Sequence, residues 1–208
     1  VSIWIYQFGD YLPFLIPHLA TEKMEVHLTD LWRYLKNRDG ISDHTREMLK
    51  TPLRAAAASG RPILLLAHSM GSIIAYDALW ELTHVDHDAV RIDELLTMGS
   101  PLGQNFIQKR IFGRDRRGND RYPHNIRRWK NLSAVGELTA IDRILANDFA
   151  QMLTLGLVAC IDDMDLYNSF RHNGRLNVHA EYGYLVSDVT GRAVAEWWRE
   201  ATTSQVPA

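Results

Sequence analysis

Pro62-Ile63-Leu64-Leu65-Leu66-Ala67-His68-Ser69-Met70-Gly71-Ser72 is the stretch on which the fold reading turns. Its first six residues form a continuous apolar run bounded by Gly60 and Gly71, the pattern of a central strand buried on both faces of a parallel sheet. Helical spacing then resumes from Ser72 to Leu82. A serine held in a strained conformation on a sharp strand-to-helix turn needs small residues two before and two after it, so that neighbouring backbone does not clash. Ala67 and Gly71 supply them, with Ala67 standing where the common form of this pattern has Gly. Ser69 is therefore expected to be a nucleophile. The Met70 N–H, at the helix N-terminus, is expected to face the oxygen that turns negative in a tetrahedral intermediate. A plain helix N-cap is the competing role for Ser69, but a cap needs neither the small neighbours nor the buried strand. His68 is adjacent to the serine and points elsewhere on such a turn, so it is expected to support the turn rather than act as a base.

Working outward, Thr21 to Asn37 reads as a helix with Met24, His27, Leu28, Leu31 and Leu35 on one face. Asp43 to Ser59 reads as a second helix, interrupted near Pro52. Further strands are expected at Leu95 to Met98, Ile126 to Ser133 and Met164 to Ser169, with helices at Thr139 to Leu153 and from about Asp188 to Glu200. Strands alternating with helices predict an α/β fold, a mostly parallel sheet with helices on both faces, in a single domain over residues 1–208. Val1-Ser2-Ile3-Trp4-Ile5-Tyr6-Gln7-Phe8, ended by Gly9-Asp10, reads as a strand. A strand with nothing before it to complete its ladder leads to the expectation that N-terminal strands of the sheet are lacking. Gly99 to His124 is rich in Gly, Pro, Arg and Asp and too long for an ordinary connection, which makes it an irregular insertion and a candidate lid or binding rim.

Composition narrows the function classes. With 208 residues, 46% of them hydrophobic, the chain can bury a sizeable core. A formal net charge of -2 gives no overall reason to expect nucleic acid or an anionic membrane surface as the main partner. The lone Cys160 excludes an internal disulfide and, following an apolar stretch, suits an inert buried thiol in a reducing compartment. The longest apolar run, Leu153 to Ile161, is too short to span a bilayer, and the expectation is a cytoplasmic chain with no transmembrane segment.

Other clusters have bland readings beside the sharp ones. His84, Asp86, His87 and Asp88 could suggest a metal site, but His-x-x-His in a polar connection is usually solvated, and no metal is expected. Lys109 to Arg128 is markedly basic, through Arg110, Arg114, Arg116, Arg117, Arg121, Arg127 and Arg128. This stretch reads either as a solvated, disordered surface or as a rim that steers an anionic or phospholipid substrate. Trp197 and Trp198 read as core and edge packing.

Four segments together carry a resemblance. His68-Ser69-Met70-Gly71-Ser72-Ile73-Ile74-Ala75-Tyr76-Asp77 resembles the serine turn and following helix of lipases and esterases of the α/β-hydrolase superfamily. Met98-Gly99-Ser100-Pro101-Leu102-Gly103, Trp129-Lys130-Asn131-Leu132 and Asn177-Val178-His179-Ala180-Glu181-Tyr182-Gly183-Tyr184-Leu185 add to it, in the same order along the chain. The chain is similar to DDHD-type intracellular phospholipases and to bacterial esterase-like hydrolases. That resemblance implies a triad in the order serine, acid, histidine, which leaves His172 and His179 as bases and favours His179, in the loop before the last helix. It puts the acid at Glu137 or Asp142. Glu137 is preferred by its spacing from Asn131, because Asp142 also reads as a charge at a helix start. Asp162, Asp163 and Asp165 read as structural or solvated. The implied function is cleavage of carboxylic esters, of a small-molecule or lipid substrate, through an acyl-enzyme, with no cofactor. An acyltransferase or thioesterase using the same triad, and a non-catalytic binding module on the same fold, are the alternatives. The second oxyanion donor that the resemblance implies comes from a loop after an earlier strand, and no such loop is recognisable before Ser69.

Overall fold

The structure is a computed structural model and describes residues 22–137 and 142–203. The strand expected at Val1 to Phe8 lies outside these residues. Helices α1 (Glu22–Leu35) and α2 (Ile41–Ala58) open the described chain. Helix α2 runs through Pro52 instead of breaking there. Proline deprives the Met48 carbonyl of its usual donor, but Met48 is 65% exposed, so water can take the donor's place.

Helix α2 is held by charge as well as by packing. Arg46, Lys50 and Arg54 recur at four-residue spacing along one face and meet carboxylates on and just after α3 (Met70–His84). The Arg46 Nε lies 2.9 Å from Glu81, Lys50 Nζ 2.9 Å from Asp86, and the Arg54 guanidinium 2.7 Å from Asp86 and 2.8 Å from Asp88. The two aspartates of the His84–Asp88 cluster are thus salt-bridged to α2. The His84 Nε2 sits 2.8 Å from the Tyr122 carbonyl, and among the described residues no group of three or more His, Cys, Asp or Glu could hold a metal ion.

Strand β1 (Leu64–His68) precedes α3, and β2 (Ile92–Met98), the short helix α4 (Asn105–Gln108) and β3 (Ile126–Ala134) follow it. Next come α5 (Leu145–Asp148), α6 (Ala150–Thr154), β4 (Ile161–Leu166) and a small hairpin of β5 (Arg171–His172) and β6 (Arg175–Leu176). Helices α7 (Glu181–Leu185) and α8 (Asp188–Thr203) close the described chain. Strands β1 to β4 form one parallel sheet in sequence order, with Leu65 beside Leu95, Leu95 beside Trp129 and Trp129 beside Ile161.

Period-two alternation divides the core between the two faces. On one side Ala67, Leu95, Trp129 and Ile161 pack with Ile73, Tyr76, Leu79 and Phe149. On the other, Leu96, Met98, Leu132, Ala134 and Leu166 pack with Tyr184 and Ala193 of α7 and α8. At the N-terminal ends of the strands this second face carries charge. Glu94, fully buried, lies 3.1 Å from Arg128 and 3.5 Å from Lys130, while Lys130 reaches Glu196 of α8 at 2.8 Å and Arg128 contacts Glu200. Arg128 is therefore a strand residue that locks α8 onto the sheet, not part of a solvated basic rim.

Among the described residues strand β1 pairs with β2 alone, and Leu66 is 37% exposed in a groove beside Leu185, Val194 and Trp198, so at this position the apolar run is not closed over. Trp198, at 61% exposed, lines that groove, and Trp197 beside it is half-buried. Of the helix expected over Thr139 to Leu153, residues 139–141 lie outside the described ones, and the remainder holds two short helices from Leu145 and Ala150, with the Asp163 carboxylate of β4 accepting from the Leu145 and Ala146 N–H groups at 3.0 and 2.9 Å. The Gly99–His124 insertion is tied along α3: the Phe112 N–H donates to Asp77 at 2.8 Å and the Trp80 indole donates to the Asp120 carbonyl at 3.0 Å. Cys160 is half-buried, and burial, with Asp162 beside it, raises its thiol above the ordinary range, which disfavours the thiolate. Among the described residues no helix is long and apolar enough to cross a membrane.

Candidate active site

Ser69 stands between the end of β1 and the start of α3 with φ 54° and ψ -127°. A side-chain-bearing residue there costs about 1–3 kcal/mol and persists only where its surroundings over-determine it. The surroundings are hydrogen bonds to the next strand and the next turn. The Ser69 N–H donates to the Met98 carbonyl at 2.9 Å, and its carbonyl accepts from the Ser72 hydroxyl at 2.6 Å and the Ser72 N–H at 3.0 Å. Ser72 in turn meets the Ser100 hydroxyl at 2.8 Å. Ala67 is buried, as the steric reading requires. At Gly71 an added Cβ would meet no atom within 4 Å beyond its own turn, so any steric demand there comes from the turn's own backbone. The Met70 N–H, at the first position of α3, is among those that intrahelical bonding leaves unused.

The loop after β4 brings His179 over this turn. His179 Nε2 is 2.9 Å from the Ser69 hydroxyl oxygen, and its Nδ1 contacts Glu137 Oε1. With a carboxylate on Nδ1, the neutral ring carries its proton there and offers Nε2 as the acceptor for the serine hydroxyl. Glu137 comes from the turn after β3, where Gly136 at φ 85° reverses the chain, and its side chain is 1% exposed against 25% for His179. The acid is sealed from water while the imidazole keeps an open edge.

Close approach of chains shapes this spot. Gly99, at φ 54° after β2, lies so near that a Cβ there would come 2.7 Å from Glu137 Oε1. Tyr184 of α7 places its hydroxyl on Glu137 Oε2. The backbone around His179 is fixed by Asn168, whose amide donates to the carbonyls on either side of it, Val178 at 2.9 Å and Ala180 at 3.0 Å. Gly183 leaves the room Asn168 needs, since a Cβ there would fall 1.8 Å from its Oδ1. His68 closes the assembly from below. Its Nε2 lies 2.9 Å from the His179 carbonyl and its ring is 4.8 Å from the His179 ring. Burial first, and then the neighbouring imidazole, lower the His68 pKa, so its ring stays neutral.

Of the residues singled out from sequence, Ser69, His179 and Glu137 come together. Asp142 does not: it is exposed, and its carboxylate accepts from the Ile144 N–H at 3.3 Å. His172 lies exposed in the β5–β6 hairpin. Asp163 caps α5, Asp165 pairs with Arg143 at 2.9 Å, and Asp162 accepts the Cys160 thiol at 3.4 Å. Asn168, Tyr184, Gly99 and the Ser72–Ser100 pair carry no local sequence signal of their role, because each acts on a partner at least 28 residues away or on the opposite side of a loop. Chemically, a strained serine hydroxyl, an imidazole aligned on it and a buried carboxylate behind the imidazole can raise a nucleophile and move its proton. Comparison with protein-family models, with curated proteins and with solved structures finds no match to this chain.

Proposed function

We propose that this chain is a serine hydrolase of the α/β-hydrolase type that cleaves carboxylic esters through an acyl-enzyme. The observation that carries the proposal is the continuous hydrogen-bonded line from Ser69 through His179 to the sealed Glu137 carboxylate. The Ser69 oxygen attacks the ester carbonyl as His179 Nε2 takes the hydroxyl proton, and the resulting imidazolium is stabilised by Glu137. The Met70 N–H, with the positive end of α3 behind it, supplies one donor to the developing oxyanion. Collapse of the intermediate sends the imidazolium proton to the leaving alcohol. Water then enters by the same route in reverse order, deprotonated by His179, and releases the acid.

Labelling with a fluorophosphonate tests this directly, because the probe phosphonylates only a serine activated as a nucleophile. The expected result is stoichiometric labelling that is absent from Ser69→Ala and at background in His179→Ala. Ester turnover should fall about 10⁶-fold in both variants. A folded chain that takes no label would instead favour a binding module on the same scaffold.

A further inference from the structure

Building on the serine-hydrolase reading, we infer that Tyr184 is a positioning residue for Glu137: its phenol holds the carboxylate oxygen that His179 does not use. Three observations converge on this. First, the proton inventory leaves the phenol one arrangement. The Ala134 N–H donates to the Tyr184 oxygen at 2.8 Å, so the single phenolic hydrogen is free for Glu137 Oε2. Burial first, and then the Glu137 charge, raise the Tyr184 pKa, so the phenol stays protonated and remains a donor.

Second, the two clamps on the carboxylate come from one short segment. His179 and Tyr184 are five residues apart, and Asn168 fixes the backbone between Val178 and Ala180, so imidazole and phenol reach Glu137 as a unit. His179 takes Oε1 and Tyr184 takes Oε2. Third, the acid is a glutamate. Its carboxylate turns about a terminal torsion with broad, roughly two-fold preferences, and its chain has one more rotatable bond than aspartate. A contact on Oε2 narrows the torsions that keep Oε1 on the imidazole. Gly99 completes the fit, since a Cβ there would lie 3.1 Å from Oε2 and 3.2 Å from the phenolic oxygen, the space this pairing occupies.

Tyr184→Phe keeps the fully buried ring and removes only the hydroxyl. Two readouts separate positioning from mere core filling. The hydrogen-bonded Nδ1 proton of His179, identified in the proton NMR spectrum by its loss in His179→Gln, should broaden and move upfield in Tyr184→Phe as the carboxylate turns away. With an ester substrate, kcat should fall about tenfold at unchanged KM, the loss expected for about one hydrogen bond's worth of orientation. A Tyr184→Phe protein with a lowered Tm, but with the His179 proton and kcat both as in the wild type, would overturn the inference. The NMR arm needs no turnover, so a shifted His179 proton in a chain that hydrolyses no ester would retain the positioning role while sinking the hydrolase reading.

Discussion

Two buried carboxylates, Glu137 and Asp77, are held in similar ways at separate places in the molecule. Each accepts a tyrosine hydroxyl on one oxygen, Tyr184 on Glu137 and Tyr34 on Asp77 at 2.9 Å. They differ in the second partner. For Asp77 it is the Phe112 N–H at 2.8 Å, a group that cannot change its charge, and the result is a tie between α1, α3 and the insertion. For Glu137 it is an imidazole whose other nitrogen faces a serine. Burial of an acid therefore says little about chemistry by itself. A titratable partner that leads onward to a nucleophile is what turns a structural carboxylate into a candidate catalytic one.

The comparison is most sharply broken at Glu137. Glu137→Gln should lower kcat about 10⁴-fold, as expected when the acid behind a catalytic histidine can no longer hold its tautomer. Asp142→Asn, at the exposed carboxylate outside the hydrogen-bonded line, should stay within about twofold, and steady-state ester hydrolysis of the two variants side by side decides between them. Comparable losses would put Asp142 back in contention as the acid.

Gly99→Ala probes the packing that keeps Glu137 in place. The added methyl would enter the space of Oε1 at a positive φ, so we expect kcat to drop about 100-fold and Tm to fall by several degrees. Wild-type kinetics in that variant would mean the turn can shift without disturbing the acid.

The smallest effect belongs to Asp77. Burial raises its pKa from 3.8 to about 7, against the lowering contributed by the Phe112 N–H and Tyr34. Between those two values the folded chain holds a proton that the unfolded chain has released, so stability falls as pH rises toward 7 and this contribution is flat above it. From pH 5 to pH 8 this amounts to a loss on the order of 2 kcal/mol. Urea midpoints at both pH values should show that difference shrink in Asp77→Asn, with ester turnover preserved. An undiminished pH slope would assign the effect to other groups.

Much of this architecture was legible in the chain. The apolar run before Ser69 and the alternation of strands with helices follow from local pattern, because strand burial and turn geometry leave marks within a few residues, whereas His179 and the pair Glu137 and Asp142 were singled out by the resemblance that the four quoted segments carry. Misreadings cluster where a distant group intervened. Pro52 did not break α2, at a turn where Met48 is 65% exposed and water can serve the carbonyl that proline leaves without a donor. Within the helix expected over Thr139 to Leu153, residues 142–144 are not helical and Asp163 of β4 caps the turn that begins at Leu145. Arg128 looked like part of a charged surface until its strand register set it against Glu94.

What the sequence by itself determined is the α/β class and the residues with chemical capacity, for both are written in short-range periodicity and residue type. Only the tertiary structure decided which acid stands behind His179, that Tyr184 holds that acid's other oxygen, and that Gly99 must make room for both. Those contacts join β2, the turn after β3 and α7, and the choice among several nearby carboxylates depends on which one the parallel sheet carries to the C-terminal ends of its strands.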